Sequence, residues 1–275
     1  MKPKPEMIYR HRLITRVSHW LNLFCILFLL MSGLQIFNAH PRLYWGQYGA
    51  DFDKPFLEML SGMRGDETLG LTKLGGMRFV TTGLFGVSGP PGQLTARGFP
   101  AWATLPSWQD LATGRRWHFF FAWIFVLNGL LYLLHGAFSG HFRKDLALSG
   151  EEVKPRHILK DILDHIRLKH PTGEAAKRYN TLQKMTYLVV IFILLPLMVL
   201  TGLTMSPGMN AFAPWLLDLF GGRQSARSIH FISASLIVLF VVVHVVEVLI
   251  AGVWNEMRSM ITGWYAVKAD VGEKP

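Results

Sequence analysis

The sequence predicts an all-α protein that crosses a membrane as a four-helix bundle, with a long loop between its first and second helices. Hydrophobic residues make up 51% of the 275 residues and charged residues 17%, whereas about a quarter of an average soluble domain is charged. The apolar residues are concentrated in four blocks, and each reaches the roughly 20 residues that a helix needs to cross the hydrocarbon. This pattern excludes a disordered chain, argues against a soluble enzyme and predicts one membrane domain over residues 1–275.

The four blocks define the predicted membrane spans. They cover residues 17–38, 117–138, 185–204 and about 229–250. The first block is too long for the apolar core of a cleaved signal peptide and no cleavage site follows it, so we expect it to stay as a helix. Pro196 is expected to kink the third span, because proline removes a backbone donor and crowds the preceding turn.

Basic residues in the flanking segments predict the orientation of the spans. Five lysines and arginines precede the first span and ten lie in 139–184, but only two lie in the short connection 205–228. Because such residues are concentrated on the cytoplasmic side, both termini and the loop 139–184 are predicted to be cytoplasmic, and the loop 39–116 to lie outside. The net charge of +10 is explained by these loops, so no nucleic-acid partner is predicted.

The candidate cofactor ligands are histidines rather than cysteines. The single cysteine, Cys25, excludes an intrachain disulfide, a cysteine-ligated zinc or iron–sulfur site, and a C-x-x-C-H haem attachment. Ionisable residues inside membrane spans are costly and mark functional sites. In this chain they are His19, His118, His135, His230, His244 and Glu247. Imidazole is an axial ligand of haem iron, and two facing helices can each supply one.

Spacing along the helices sorts four of the histidines into two pairs. His230 and His244 are fourteen residues apart, which places them about 40° apart around one helix and roughly 21 Å apart along its axis. With the predicted orientation, His118 opens the second span at the depth of His230. His19 opens the first span at the depth of His244. Two haems, one near each membrane surface, would need this arrangement.

Two further ionisable residues lie at the inner depth. His135 follows His118 by seventeen residues, about 100° around the helix, and competes with His19 as the partner of His244; we place His19 first. Glu247, three residues after His244, is a candidate proton relay, because an intramembrane carboxylate often marks a proton path. Pairing of Glu247 with an arginine of the inner loop is the alternative.

An arginine stands three residues before three of these histidines. The arginines are Arg16, Arg115 and Arg227, and Arg116 adjoins the second of them. Residues i and i+3 are neighbours on a helix, so each guanidinium is expected one turn nearer the surface, on much the same side as the imidazole. Haem propionates need cationic partners there, and arginine suits carboxylates. The alternative, in which each arginine extends to the lipid headgroups, is disfavoured by the repeated offset.

Two glycines lie late in the first and third spans. Gly33 occurs in Met-Ser-Gly-Leu and Gly202 in Leu-Thr-Gly-Leu. A missing side chain lets a macrocycle or a neighbouring helix approach closely. Simple helix packing is the alternative explanation.

The chain resembles a known family in several short segments. They are Arg16-Val-Ser-His-Trp, Arg115-Arg-Trp-His, Arg178-Tyr-Asn-Thr-Leu-Gln-Lys and the histidine pair of the fourth span. With these segments the chain resembles the di-haem cytochrome b subunits of formate dehydrogenases, nickel–iron hydrogenases and thiosulfate reductases, which form the prokaryotic cytochrome b561-like group.

The resemblance implies two b haems, one near each face of a bacterial inner membrane. It implies iron ligation by His19, His118, His230 and His244. It also implies a quinone or quinol site beside the inner haem, formed by Tyr179, Asn180, Gln183 and Lys184. Asparagine, glutamine and lysine can donate hydrogen bonds to a quinone carbonyl. The alternative for this patch is the polar start of the third helix together with cytoplasmic positive charge.

The loop 39–116 is much longer than in the formate dehydrogenase type. Its length points toward the branch that resembles thiosulfate reductase, whose partner is expected to be a periplasmic molybdopterin oxidoreductase. The chain would then be a quinone-linked electron-transfer subunit, an oxidoreductase component rather than a complete enzyme.

Two other functions are compatible with histidines inside the membrane. The first is a proton channel or transporter without haem. Transport folds usually have broken helices and polar residues near the midplane, whereas here the middles of the spans are apolar apart from Asn128. The second is a haem-free membrane anchor, which would leave the depth-matched histidines without a role.

Overall fold

The computed structural model of this protein describes residues 5–50, 52–167 and 179–267. It divides into two compact units. The first unit holds the described residues of Met1–Leu21, Asn128–Pro196 and Ser235–Pro275, and the second holds those of Asn22–Leu127 and Leu197–Ala234. A single domain over 1–275 stays a prediction. The basic residues within 1–4, 168–178 and 268–275, which contribute to the predicted orientation, lie outside the described residues.

The structure is mostly helical and confirms four helices that are long and apolar enough to cross a membrane. They are α1 (Leu13–Asn38), α2 (Leu111–Ser139), the helical stretch Thr181–Thr204 and the long helix Arg223–Thr262. Each predicted span lies inside one of them. The helices extend beyond the predicted spans because polar residues at a helix end lower the local hydropathy without breaking the hydrogen-bonded ladder.

The third span contains an irregular turn at the place where proline is expected to act. Helix α4 (Thr181–Val189) passes into a π-helical turn, Val190–Leu194, and then into α5 (Leu195–Thr204). Pro196 has no backbone N–H and its ring crowds the carbonyl four residues earlier. A wider turn in this segment removes that conflict, so the irregularity has a local cause.

The remaining helices are short except for the last. Between the second and third spans lie a π-helical turn, Phe142–Leu146, and α3 (Pro155–Ile166). Helices α6 (Pro207–Phe212) and α7 (Trp215–Leu219) follow α5. The fourth span is α8 (Arg223–Thr262), which is interrupted at Gly252, where φ is 117°. That interruption lies two residues beyond the predicted end of the span.

The prediction of an all-α fold is wrong for the connection between α1 and α2, which contains two antiparallel sheets, and for the segments before α1 and after α8, which form a third. The 39–116 segment forms a four-stranded sheet in the order β2 (Arg42–Leu43), β3 (Leu57–Arg64), β4 (Glu67–Leu74), β5 (Met77–Val80). It also forms a two-stranded sheet of β6 (Gly86–Ser88) and β7 (Thr95–Arg97). A third sheet pairs β1 (Glu6–Tyr9) with β8 (Trp264–Val267).

Two glycine turns account for the larger sheet. Strands β3 and β4 are joined by Gly65-Asp66, and β4 and β5 by Gly75-Gly76, with φ of 60° at Gly65 and 57° at Gly75. Two-residue hairpins of this kind need positive φ, which glycine adopts without strain. Leu60 then pairs with Leu71 across the sheet. The hairpin signal is therefore present in the sequence between runs of strand-forming residues.

A buried arginine fixes the folded connection between α1 and α2. Nε of Arg97 donates to the Phe99 carbonyl (2.7 Å), one Nη to the Ser107 carbonyl (3.0 Å) and the other to the Thr104 hydroxyl (3.0 Å). Burial lowers the pKa of Arg97. Its planar fork of donors reaches three acceptors on three different residues.

Replacing Arg97 with alanine should loosen this connection, because three acceptors lose a charged donor at once. We expect a destabilisation of about 2–5 kcal/mol, measured as faster limited proteolysis within 39–116. Arg78→Ala is the control, because Arg78 is exposed on β5. Arg97→Lys should restore little, since lysine lacks the fork. Equal protease resistance of the Arg97→Ala and Arg78→Ala chains would contradict the structural role of Arg97.

Candidate functional site

The structure brings together the two pairs of histidines that spacing predicts. His118 of α2 and His230 of α8 lie in the second unit with ring centroids 6.3 Å apart and an interplanar angle of 62°. His19 of α1 and His244 of α8 lie in the first unit with centroids 6.2 Å apart and the same angle. All four rings are half-buried.

Hydrogen bonds fix the tautomer of His118. Its Nδ1 lies 3.1 Å from the Ser32 hydroxyl and 3.2 Å from the Leu29 carbonyl oxygen, and the Ser32 hydroxyl lies 2.6 Å from the Phe28 carbonyl oxygen. Carbonyl oxygens only accept, so the serine proton goes to Phe28 and Nδ1 carries the imidazole proton. Nε2 therefore keeps its lone pair, which is the form of histidine that binds a metal.

His230 repeats this arrangement on another pair of helices. Its Nδ1 lies 3.0 Å from the Thr201 hydroxyl, which itself donates to the Leu197 carbonyl at 2.6 Å. The hydroxyl oxygen then accepts from Nδ1–H, and Nε2 again keeps its lone pair. Ser32 and Thr201 are both almost fully buried. The sequence reasoning missed these two residues, although each directly precedes a glycine that it singled out.

The two glycines make room for the same two imidazoles. A Cβ on Gly33 would lie 3.3 Å from Cε1 of His118, and a Cβ on Gly202 would lie 3.4 Å from Cε1 of His230. The structure therefore shows that each glycine lets the histidine of a neighbouring helix approach closely. Larger side chains at either position would push an imidazole away from its hydroxyl partner.

The second pair has different surroundings. Nδ1 of His19 is buried and has no hydrogen-bond partner in the described part of the protein. The ring of His244 stacks on Phe240, with centroids 5.8 Å apart. Among the described residues, the ring contact of His244 with a second histidine is made by His19 and not by His135. Trp20, next to His19, donates from Nε1 to the Met260 carbonyl at 3.0 Å.

The residues present fit haem iron. An iron–nitrogen bond of about 2 Å and an imidazole radius of about 1 Å place two axial rings roughly 6 Å apart, centroid to centroid. Both pairs have that separation. In the described ranges, no group of three or more His, Cys, Asp or Glu side chains could hold a metal ion. Two facing imidazoles without a third ligand suit a macrocycle that supplies the other ligands itself.

The predicted propionate arginines have unequal surroundings. Nε of Arg16 is buried without a partner, one of its Nη atoms donates to the Ile261 carbonyl, and Arg16 lines a cavity of about 340 Å³. Arg115 and Arg116 are exposed at the start of α2. Arg115 also lies over the Phe119 ring, 5.6 Å from its centroid.

Arg227 has a structural role that the sequence did not reveal. Its two Nη atoms donate to the carbonyls of His40 (2.5 Å) and Arg42 (2.9 Å), and its guanidinium lies 5.5 Å from the centre of the Phe37 ring. These contacts fasten the segment after α1 to the start of α8. A propionate role for Arg227 stays a prediction.

Three of the four predicted quinone residues organise the start of the third span. The Asn180 side chain accepts from the Gln183 backbone N–H (2.7 Å), and the Gln183 side chain accepts from the Asn180 N–H (3.3 Å), which forms a capping box. Nζ of Lys184 lies 2.8 Å from Oε1 of Glu152. These contacts match the alternative of a polar helix start; a quinone role stays a prediction.

The fourth, Tyr179, belongs to a cluster of tyrosines around Arg10. The Arg10 guanidinium lies 5.3 Å from the centre of the Tyr179 ring and 4.6 Å from that of Tyr265. The rings of Tyr179 and Tyr187 meet edge to face at 5.6 Å. Burial raises the pKa of Tyr179 and of Tyr265. We call Arg10, Tyr132, Tyr179, Tyr187 and Tyr265 the tyrosine cluster; Tyr132 interacts electrostatically with Tyr179.

Electrostatic interactions connect this cluster to the His19–His244 pair. Glu256 interacts with His244 and also with Tyr179 and Tyr265. On the other side, His11 interacts with His19. Burial, with the adjacent charge of Arg10, lowers the pKa of His11 to about 4. The cluster and the histidine pair both lie in the first unit, and the sequence indicated only Tyr179 among the cluster residues.

Two other polar residues, Glu247 and Asn128, lie within the spans. Glu247 is half-buried on α8, one turn after His244; its relay and ion-pair roles stay predictions. Asn128, the polar exception in the middle of a span, is buried and donates to the Ser18 carbonyl at 3.2 Å. Asn128 therefore links α2 to α1, which accounts for its presence without a transport role.

The chain is similar to known proteins over most of its length. The family described as prokaryotic cytochrome b561 matches residues 10–263, which include both histidine pairs. A protein of Azospira oryzae with the provisional name protein-methionine-sulfoxide reductase subunit YedZ1 is 29% identical over 249 residues, which are 90% of this chain and 93% of the relative. No solved structure matches the chain significantly.

Proposed function

This chain belongs to the prokaryotic cytochrome b561 family, and we propose that it is a di-haem b subunit that passes electrons between membrane quinone and a periplasmic redox enzyme. The observation that carries the proposal is the pair of histidine contacts at 6.2 and 6.3 Å. Each contact has the separation of two axial imidazoles, and each is supplied by two different helices of a membrane protein.

The ligands would be His118 with His230 for one haem and His19 with His244 for the other. When bound, haem supplies one-electron transfer, and its potential is tuned by ligands, hydrogen bonds and burial. The chain's own residues hold the imidazoles in place. Nδ1–H of His118 and of His230 is engaged by a buried hydroxyl, which fixes the ring orientation and raises ligand basicity.

The partner is proposed to act at the unit that holds His118 and His230. That unit also contains the folded 39–116 connection, which the distribution of basic residues predicts to lie outside the cytoplasm. The relative from Azospira oryzae is named as a subunit of a protein-methionine-sulfoxide reductase, which supports a redox enzyme as partner. We propose a molybdopterin-type oxidoreductase and a location in the bacterial inner membrane with both termini cytoplasmic.

Quinone is proposed to bind beside the His19–His244 pair, at the tyrosine cluster. A quinone carbonyl accepts hydrogen bonds, and tyrosine hydroxyls and the Arg10 guanidinium are donors. Tyr179 is retained from the predicted set. Asn180, Gln183 and Lys184 are also kept as proposed quinone residues, and their side chains hold the start of α4 in place.

A spectrum of the purified chain tests the proposal. Reduced with dithionite in detergent, the chain should show a low-spin b-type spectrum and about two haems per chain. The ratio of haem to protein is the measurement. A single haem would contradict the di-haem assignment. Absence of a Soret band would overturn the electron-transfer function and leave a proton channel or a haem-free anchor.

A further inference from the structure

An aspartate, a histidine and a tyrosine form a chain of hydrogen bonds where α2 ends. Oδ2 of Asp145 lies 2.6 Å from Nδ1 of His141, and Nε2 of His141 lies 3.4 Å from the hydroxyl of Tyr132. An ionised carboxylate only accepts, so Nδ1 of the neutral imidazole carries the proton and Nε2 accepts from the tyrosine. The three groups therefore share one hydrogen-bond direction, from the tyrosine to the carboxylate.

The chain of bonds runs from solvent into the protein. The Asp145 side chain is 50% exposed and the His141 side chain 14% exposed, while Tyr132 is half-buried within α2. The imidazole thus separates a carboxylate in contact with water from a hydroxyl that is largely shielded from it.

Packing holds the histidine in this position. The Phe142 ring, next to His141, lies edge to face against Tyr132 (5.8 Å) and Phe192 (5.1 Å). A Cβ on Gly136 would lie only 2.2 Å from the Phe142 ring. Because Gly136 leaves that space free, the π-helical turn Phe142–Leu146 folds back on α2 and carries Asp145 to the imidazole.

The inner end of these bonds reaches the tyrosine cluster. The π-helical turn that carries Asp145 packs against α4, the helix of Tyr187, and Tyr179 and His11 lie within electrostatic range of Tyr132 and His141. The groups that face the pair are therefore Tyr132 from α2, Asp145 from the π-helical turn, His11 and Tyr179. The Tyr132 hydroxyl therefore belongs to the proposed quinone site, and hydrogen bonds lead from it through His141 to the exposed Asp145.

We propose that Asp145, His141 and Tyr132 form the proton path between the quinone site and the cytoplasmic solution, an inference that rests on the proposed quinone function. Oxidation of one quinol to quinone releases two electrons and two protons, and the haems, when bound, would take up the electrons one at a time. For each proton, Tyr132 receives it from the quinol oxygen and gives its own to Nε2 of His141. His141 releases the proton on Nδ1 through Asp145 to water, which leaves its remaining proton on Nε2; the imidazole then turns over so that an N–H again faces Asp145 before the second proton follows, and quinone reduction reverses these steps.

The test uses the haem-loaded chain in detergent and durohydroquinone, a tetramethyl quinol. We expect His141→Gln to slow haem reduction by the quinol at least about tenfold, with proton release, followed by a pH dye, slowed equally. Duroquinone affinity, haem content and the rate of reduction by dithionite should not change. Added imidazole should restore the rate of His141→Ala, because it replaces the missing base but not a missing structural contact.

His157→Gln is the matched control. His157 forms the same i, i+4 pair with Asp161, at 3.8 Å, but its side chain is 42% exposed, against 14% for His141, so its replacement should leave every measurement at the wild-type value. A His141→Gln rate within twofold of wild type would overturn the path. A slower rate explained by an equal loss of duroquinone affinity would also overturn it, because His141 would then be a binding residue.

The two proposals fail in different ways. If the wild-type chain holds its haems but durohydroquinone does not reduce them, both the quinone function and the proton path are wrong. If the wild type reacts and the His141→Gln chain reacts equally fast, the quinone function stands and only the path is wrong.

Discussion

Replacing His230 with alanine should remove one of the two proposed haems and leave the other in place. His230 and His118 provide the two axial imidazoles of one site, whereas His19 and His244 lie in the other compact unit. An iron that loses one of two strong-field ligands becomes high-spin or dissociates. We therefore expect the haem-to-protein ratio to fall from about two to about one, with a low-spin spectrum for the haem that remains.

Variants of the other histidines separate ligand loss from misfolding. His118→Ala should reproduce the His230→Ala spectrum, and His19→Ala should remove the other haem. His135→Ala is the matched control, because it deletes an intramembrane imidazole that has no ring contact with His244 among the described residues. If His135→Ala loses a haem while His19→Ala keeps both, the assignment of His19 is wrong.

Helical periodicity explains why the histidine pairs could be predicted. A long apolar helix leaves little freedom in where a residue lies, so fourteen residues between His230 and His244 fix their separation and face. Orientation then determines which histidines of the other spans can reach the same depth. His118 and His19 satisfy that condition, and the structure places their rings against His230 and His244.

The sheets were not predicted, although the sequence contains a local signal for two of their turns. Gly65-Asp66 and Gly75-Gly76 stand between runs of strand-forming residues, and both become two-residue hairpin turns. The alternation of polar and apolar residues in a short strand is a weaker sequence signal than four long apolar runs. The pairing of β1 with β8 depends on chain segments more than 250 residues apart, and no local pattern predicts such a contact.

Apart from the histidine pairs, contacts between side chains of distant segments could not be predicted. Arg227 has the same offset from its histidine as Arg16 and Arg115, yet it donates to two loop carbonyls. Arg10 lies between Tyr179 and Tyr265 only after the ends of three spans have come together in the first unit. Sequence spacing predicts where a group lies on its own helix, but its partners follow from packing between helices.

The second large effect is expected when Gly33, which lies against His118, is replaced by a larger residue. The Cβ of an alanine at position 33 would already lie 3.3 Å from Cε1 of His118, closer than most van der Waals contacts between carbons. Gly33→Ala should thus be accommodated by a small shift of the imidazole. The additional methyl groups of Gly33→Val should displace the ring from Ser32 and from the axial position, so that the haem ratio falls from about two to about one.

Gly129→Val distinguishes this steric effect from the general effect of adding a branched side chain to a membrane helix. A Cβ on Gly129 in α2 would meet nothing within 4 Å, so that variant should keep both haems and an unchanged spectrum. Gly202→Ala, with its Cβ 3.4 Å from His230, should perturb the site less than Gly33→Ala. Because the hydroxyl, the glycine and the imidazole meet at one point on each helix pair, the size of the residue at 33 or 202 sets the position of the ligand. The same spectrum and haem ratio for Gly33→Val and Gly129→Val would show that a branched side chain at position 33 does not displace the His118 imidazole. The assignment of His118 to iron would then lose its structural basis.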